Sequence, residues 1–170
     1  MFGLTSLGAI HTLIGLVALF AGAVALVRDH TITANNKTGR LYVITTVLTC
    51  LTGFGIYENG GFGAPHVLGI ITLAVLWLGW AAEHSASPAQ KTRIVATVSY
   101  SATFFFHWIP TITEGATRLP LGAPLVAERE GPEIQAAVGV AFVLFVIGTT
   151  MQVMAIRRRA AAPGFEVLSS

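Results

Sequence analysis

Five long apolar stretches, 4–27, 41–56, 66–82, 94–113 and 134–156, occupy most of this 170-residue chain, each bounded by charge, Gly or Pro. Runs of that length admit few folds. In lipid every backbone N–H and C=O must find its partner within the protein, which leaves helices or a closed barrel. The period-two alternation of barrel strands is absent, so helices follow. Only 11% of the residues are charged and 54% are hydrophobic, where a soluble domain carries about a quarter charged residues. The sequence therefore predicts an all-α integral membrane bundle of five transmembrane helices. It forms one domain over 1–159, followed by a tail at 160–170. The first run has no basic region before it and is too long for the apolar core of a signal peptide, so it reads as a retained span.

Charge sets the expected orientation. Arg28, Lys37, Arg40, Lys91, Arg93, Arg157, Arg158 and Arg159 fall on one side of the spans, and only Arg118 and Arg129 on the other. By the positive-inside rule this puts the N-terminus outside and the C-terminus in the cytoplasm of a multi-pass protein, here read as one of a bacterial inner membrane. The formal charge of +2 is spread over helix ends, a pattern that suits lipid headgroups and not nucleic acid. Cys50, the single cysteine, lies inside a span without a partner in the chain and reads as small buried filler.

The second and third spans are short, at roughly 25 Å by helix rise against a hydrocarbon core of about 30 Å. Their loop, Y-E-N-G-G-F-G-A-P at 57–65, is expected to sink into the outer leaflet, with Pro65 in the first turn of the next helix. The loop over 114–133, with three prolines and with Glu128, Glu130 and Glu133, is expected to cap the outer face.

In this topology three histidines reach one leaflet from three helices: His11 about two turns into the first span, His66 at the start of the third, His107 about two turns from the end of the fourth. Ionisable residues inside a membrane usually face the bundle interior and mark function. Tyr100, Thr103, His107, Thr111 and Glu114 recur at steps of three and four and form a polar stripe on the fourth span. Gly8, His11, Gly15 and Gly22 share a face of the first span, and Tyr42, Thr45, Thr49 and Thr52 one of the second. Each residue alone has a plain structural explanation: a membrane histidine bonds a neighbouring carbonyl, and a threonine its own helix backbone. Trp77, Trp80 and Trp108 suit an interfacial belt, and His30 and His84 suit solvated cytoplasmic loops. The convergence of His11, His66 and His107 is what these explanations leave over.

A b-type haem is the cofactor such a site first suggests, with His11 and His107 at matching depth as axial ligands and His66 and Arg118 on a propionate. A zinc or copper ion held by His11, His66 and His107 is the rival. The sequence lacks H-E-x-x-H, CxxCH, P-loop and G-x-S-x-G motifs and any lysine within a span for a retinal Schiff base.

The run K-T-G-R-L-Y-V at 37–43, then G-G-F-G-A-P-H at 60–66, with the early His11, resembles a bacterial family of predicted multi-span membrane proteins of unknown function. The resemblance covers about the first two thirds of the chain and implies a multi-span bundle without an assigned activity. Where members carry a His-Arg pair before the second span, this chain has Asn35, Asn36 and Lys37. Size and histidine placement are also similar to small membrane b-type cytochromes, an analogy of fold alone. The leading expectation is a small membrane redox protein exchanging electrons with quinol or an external acceptor through a partner protein. Two further readings stand beside it: a small-solute binding protein or transporter, and a structural or assembly subunit, as an oligomer or within a larger membrane complex.

Overall fold

The computed structural model describes residues 5–57, 61–86, 89–120, 124–126 and 128–161. Leu4 at the head of the first expected span, Glu58, Asn59 and Gly60 of the second loop, and positions 162–170 of the expected tail lie outside the described residues. Among the described residues the fold has five helices: α1 Ser6–Asp29, α2 Lys37–Gly53, α3 Ala64–Glu83, α4 Gln90–Arg118 and α5 Pro132–Ala160. Three of them, α1, α3 and α5, are long and apolar enough to cross a membrane, with mean hydropathies of 2.3, 1.7 and 2.0.

Local chemistry explains where the helices start and stop. The Thr5 hydroxyl accepts the Gly8 N–H at 3.1 Å and opens α1, and the Asn36 side chain accepts the Gly39 N–H at 2.8 Å and opens α2. Gly39 is needed there, because a Cβ at that position would collide with the backbone oxygen of Thr33. α2 ends at Gly53, short of the expected 56. Phe54 N–H donates to the Cys50 carbonyl at 3.1 Å and Gly55 N–H to that of Thr52 at 3.2 Å, so the chain leaves through a tight turn. α4 and α5, in contrast, outrun the expected 94–113 and 134–156 at both ends. Hydropathy marks the apolar part of a helix, and polar flanks such as Gln90 to Arg93 continue it beyond that part.

Helices α1 and α2 form one antiparallel hairpin and α3 and α4 another. α2 packs on α3, α4 returns to α1, and α5 touches, among the helices, only α4. The interior differs from a soluble core. The largest fully buried side chains are Tyr42, Tyr100, Thr46 and Thr103, all hydroxyl-bearing, while Phe20, Val27 and Trp77 point outward. Where the surroundings are apolar, helices gain by pairing polar groups inward and turning alkyl surface outward. Gly22 permits the close approach: a Cβ there would stand 2.6 Å from the Phe104 ring and 3.0 Å from that of Tyr42.

The end of the bundle where α3 finishes is tied by one carboxylate. Glu83 accepts from Tyr100 OH at 2.8 Å, from Ala34 N–H at 3.0 Å, from the Asn35 amide at 3.0 Å and from the Thr33 hydroxyl. The α1–α2 loop, α3 and α4 thus meet on a single side chain.

Candidate functional site: a cavity lined by three histidines

At the opposite end, where α1 and α3 begin, a cavity of about 360 Å³ lies among α1 to α4. That is at the small end of the range for small-molecule sites, about 300–1,000 Å³. His11, His66 and His107 all line it, as do Glu114, Arg118 and Arg129. Much of the remaining wall is apolar and includes Phe54, Phe62, Phe106 and Leu68.

His66 is the most constrained of the three. It sits in the first turn of α3, 6% exposed, stacked between Tyr57 and Phe62 with ring centroids 5.1 and 5.2 Å away. Its Nδ1 accepts the Gly63 N–H at 3.2 Å. A neutral imidazole with Nδ1 as acceptor carries its proton on Nε2. That Nε2 is buried and meets no hydrogen-bond partner among the described residues, although buried donors are almost always paired. The ring is held on three sides, and its one free donor belongs to a residue of the cavity wall.

His11 has the reverse polarity. Its Nδ1 lies 3.1 Å from Thr52 Oγ1, whose single proton is already directed at the Leu48 carbonyl at 2.8 Å and the Thr49 carbonyl at 3.1 Å. Thr52 therefore accepts, Nδ1–H donates, and Nε2 of His11 keeps its lone pair. Gly53 leaves room for the ring: a Cβ there would stand 3.1 Å from its Cε1.

His107, 7% exposed, shares a hydrogen bond between Nε2 and Thr46 Oγ1 at 3.0 Å. The stripe it belongs to divides along its length. Tyr100 and Thr103 are buried, as expected, whereas Thr111 and Glu114 are half-buried nearer the helix end. The Thr111 hydroxyl donates to the His107 carbonyl at 2.7 Å. Phe105 and Ile109 are more exposed than the buried Tyr100, Thr103 and His107 but only half-buried, and Phe105 packs on Phe142 and Phe145 of α5. Glu114 pairs with Arg118 one turn on and with Arg129 at 2.9 Å, forming a charged rim.

The donor chemistry tests the expected cofactors. Haem held by Nε2 of both His11 and His107 does not fit: His11 offers a free Nε2, but that of His107 is engaged by Thr46. Of the expected propionate partners, His66 has the right donor and Arg118 is already paired with Glu114. A three-histidine zinc or copper site does not fit either. A ligating Nε2 needs its lone pair, and on His66 that atom bears the proton. Among the described residues no three His, Cys, Asp or Glu side chains stand close enough to hold one metal ion.

Several wall and partner residues escape a reading of the sequence. Thr46 fixes His107 from α2, as Thr52 of the expected polar face fixes His11, and Arg129 reaches the rim from the loop after α4. Pro110 has no N–H for the Phe106 carbonyl, and both residues line the cavity. Proline inside a polar-striped helix is the one signal among these that the sequence carries openly. His30 and His84 are exposed at the far end, with His84 stacked on Trp80 at 4.6 Å.

Compared with protein-family models, with curated proteins and with solved structures, the chain gives no match.

Proposed function

We propose that this chain is a small five-span protein of a bacterial inner membrane, N-terminus outside, that binds the head group of a lipid-soluble quinone or quinol in the three-histidine cavity. The observation that carries the proposal is the buried Nε2–H of His66, clamped and without a partner among the described residues, on the wall of a cavity that His11 also lines, its Nε2 lone pair left over by the Nδ1–Thr52 bond. One wall donates a hydrogen bond and another accepts one. A quinone carbonyl answers the first and a quinol hydroxyl the second, while the phenylalanines suit a flat ring. The distribution of basic residues supports the orientation, since Arg118 and Arg129 gather at the cavity rim and Arg157 to Arg159 end α5. In that orientation the cavity lies in the outer leaflet. The lining side chains handle protons and hydrogen bonds, so electrons from a bound quinol pass to a redox partner protein.

The test is binding of a short-chain ubiquinone analogue to the purified protein in lipid nanodiscs, followed by calorimetry. Saturable binding that His66→Phe abolishes is the expected result. A wild-type protein that takes up no quinone overturns the reading, and a Soret band in the dithionite-reduced protein returns the site to haem.

A further inference from the structure

The polar interior of the bundle is more extensive than a ligand cavity requires. It starts from Glu83, whose Oε2 accepts from Tyr100 OH at 2.8 Å. Further along α4, Thr103 Oγ1 lies 2.7 Å from Tyr42 OH. Thr103 donates to the Tyr100 carbonyl at 2.9 Å, so it is Tyr42 that donates to Thr103. Thr46 stands one turn beyond Tyr42 on α2, interacts with its phenol, and meets His107 Nε2 at 3.0 Å. His107 lines the cavity at the other end. Tyr42, Thr46 and Thr103 are fully enclosed, and Tyr100 nearly so. Phenylalanine and valine are the apolar side chains of matching outline at these positions, and polar groups in a membrane interior commonly mark a proton or ion route.

We propose that Glu83, Tyr100, Thr103, Tyr42, Thr46 and His107 form a proton path that joins the cytoplasmic end of the bundle to the outer cavity. Along the bonds as they stand protons move toward Glu83. Each hydroxyl oxygen gains a proton from the neighbour on its cavity side as it releases its own on the other, Tyr100 to the Glu83 carboxylate. One O–H bond forms for each that breaks, and Glu83 gives up the proton it gains at the cytoplasmic end. His107 gives the proton on Nε2 to Thr46 and takes one on Nδ1 from the cavity; ring and hydroxyl rotation then resets the row. No electron moves. Two intervals, between the Tyr100 phenol and the Tyr42–Thr103 pair and between the Tyr42 and Thr46 hydroxyls, have no direct hydrogen bond, and in this path a transient water crosses each.

The inference goes beyond the quinone reading and does not depend on it, because its assay contains no quinone. The full chain is reconstituted into phosphatidylcholine vesicles with a trapped pH dye, and a valinomycin-set potassium potential drives protons inward. The wild type should acidify the lumen faster than protein-free vesicles do. Tyr42→Phe and Glu83→Gln should return the rate to that of empty vesicles, whereas Ser101→Ala, which removes a hydroxyl bonded instead to Gln152 at 2.8 Å, should leave it unchanged. If Tyr42→Phe fails to give the wild-type circular dichroism and thermal unfolding, Thr103→Val takes its place. A wild type no faster than empty vesicles, or a folded row variant as fast as the wild type, overturns the proposal.

Discussion

Each end of this bundle sets a polar side chain near the start or finish of α3, His66 buried and Glu83 half-buried, and the two are treated in opposite ways. Glu83 accepts from a loop amide, a loop side-chain amide, a hydroxyl and a phenol. His66, at the other terminus of the same helix, has one donor that meets no partner among the described residues inside its aromatic sandwich. A saturated polar group stabilises the fold, because removing it strands its partners. An unmet one weakens the fold by its desolvation, and a ligand that met it would recover that cost.

The contrast makes predictions that differ in size. Glu83→Ala should be the most damaging, costing about 3 kcal/mol in reversible unfolding in detergent, since several donors lose a charged acceptor together. A cost near zero would remove the distinction between the two ends. Tyr100→Phe takes away one of those donors and should cost about 1.5 kcal/mol. The same unfolding measurement on both variants and their double mutant should show clear non-additivity, as expected for groups in one network. His66→Phe should change stability by no more than about 1 kcal/mol, because an idle donor is lost along with the modest Gly63 bond. A large loss there would give His66 a structural role and weaken the ligand argument.

The smallest effect belongs to the last turn of α1, past the expected span at 4–27. The Arg28 guanidinium, hydrogen-bonded to Asp29 at 2.7 Å, holds that carboxyl below the usual carboxylate range. A depressed carboxyl stabilises the folded state above its ordinary pKa, and the contribution fades as the pH falls through the lowered value. Asp29→Asn should therefore flatten only the acid limb of a stability-pH curve, and only slightly for so exposed a pair. A change near neutral pH would contradict that assignment.

The helices were legible in the sequence because lipid makes apolar runs obligatory. The buried part of the α4 stripe was legible because Tyr100, Thr103 and His107 share a helical face. Thr46 and Glu83 were not, because their partners lie far along the chain: His107 for Thr46, and Thr33 and Asn35 for Glu83. Periodicity reports which face turns inward and says nothing of what that face meets. The cofactor expectations rested on counting imidazoles at one depth. Which ring nitrogen holds the proton depends on Thr52, Gly63 and Thr46, and spacing along a helix carries no trace of those bonds.

The pairing of helices also bears on how such a chain enters a bilayer. Of the five, only α1, α3 and α5 have the length and hydropathy to cross unaided, and they alternate with α2, rich in threonine, and α4, with its polar stripe. Each polar helix lies against the apolar one just made: α2 against α1, α4 against α3. In the five-span reading the chain emerges from the ribosome as two couples, each with a carrier and a passenger. A passenger separated from its carrier would remain in water, so the order of helices along the chain is itself an instruction for insertion.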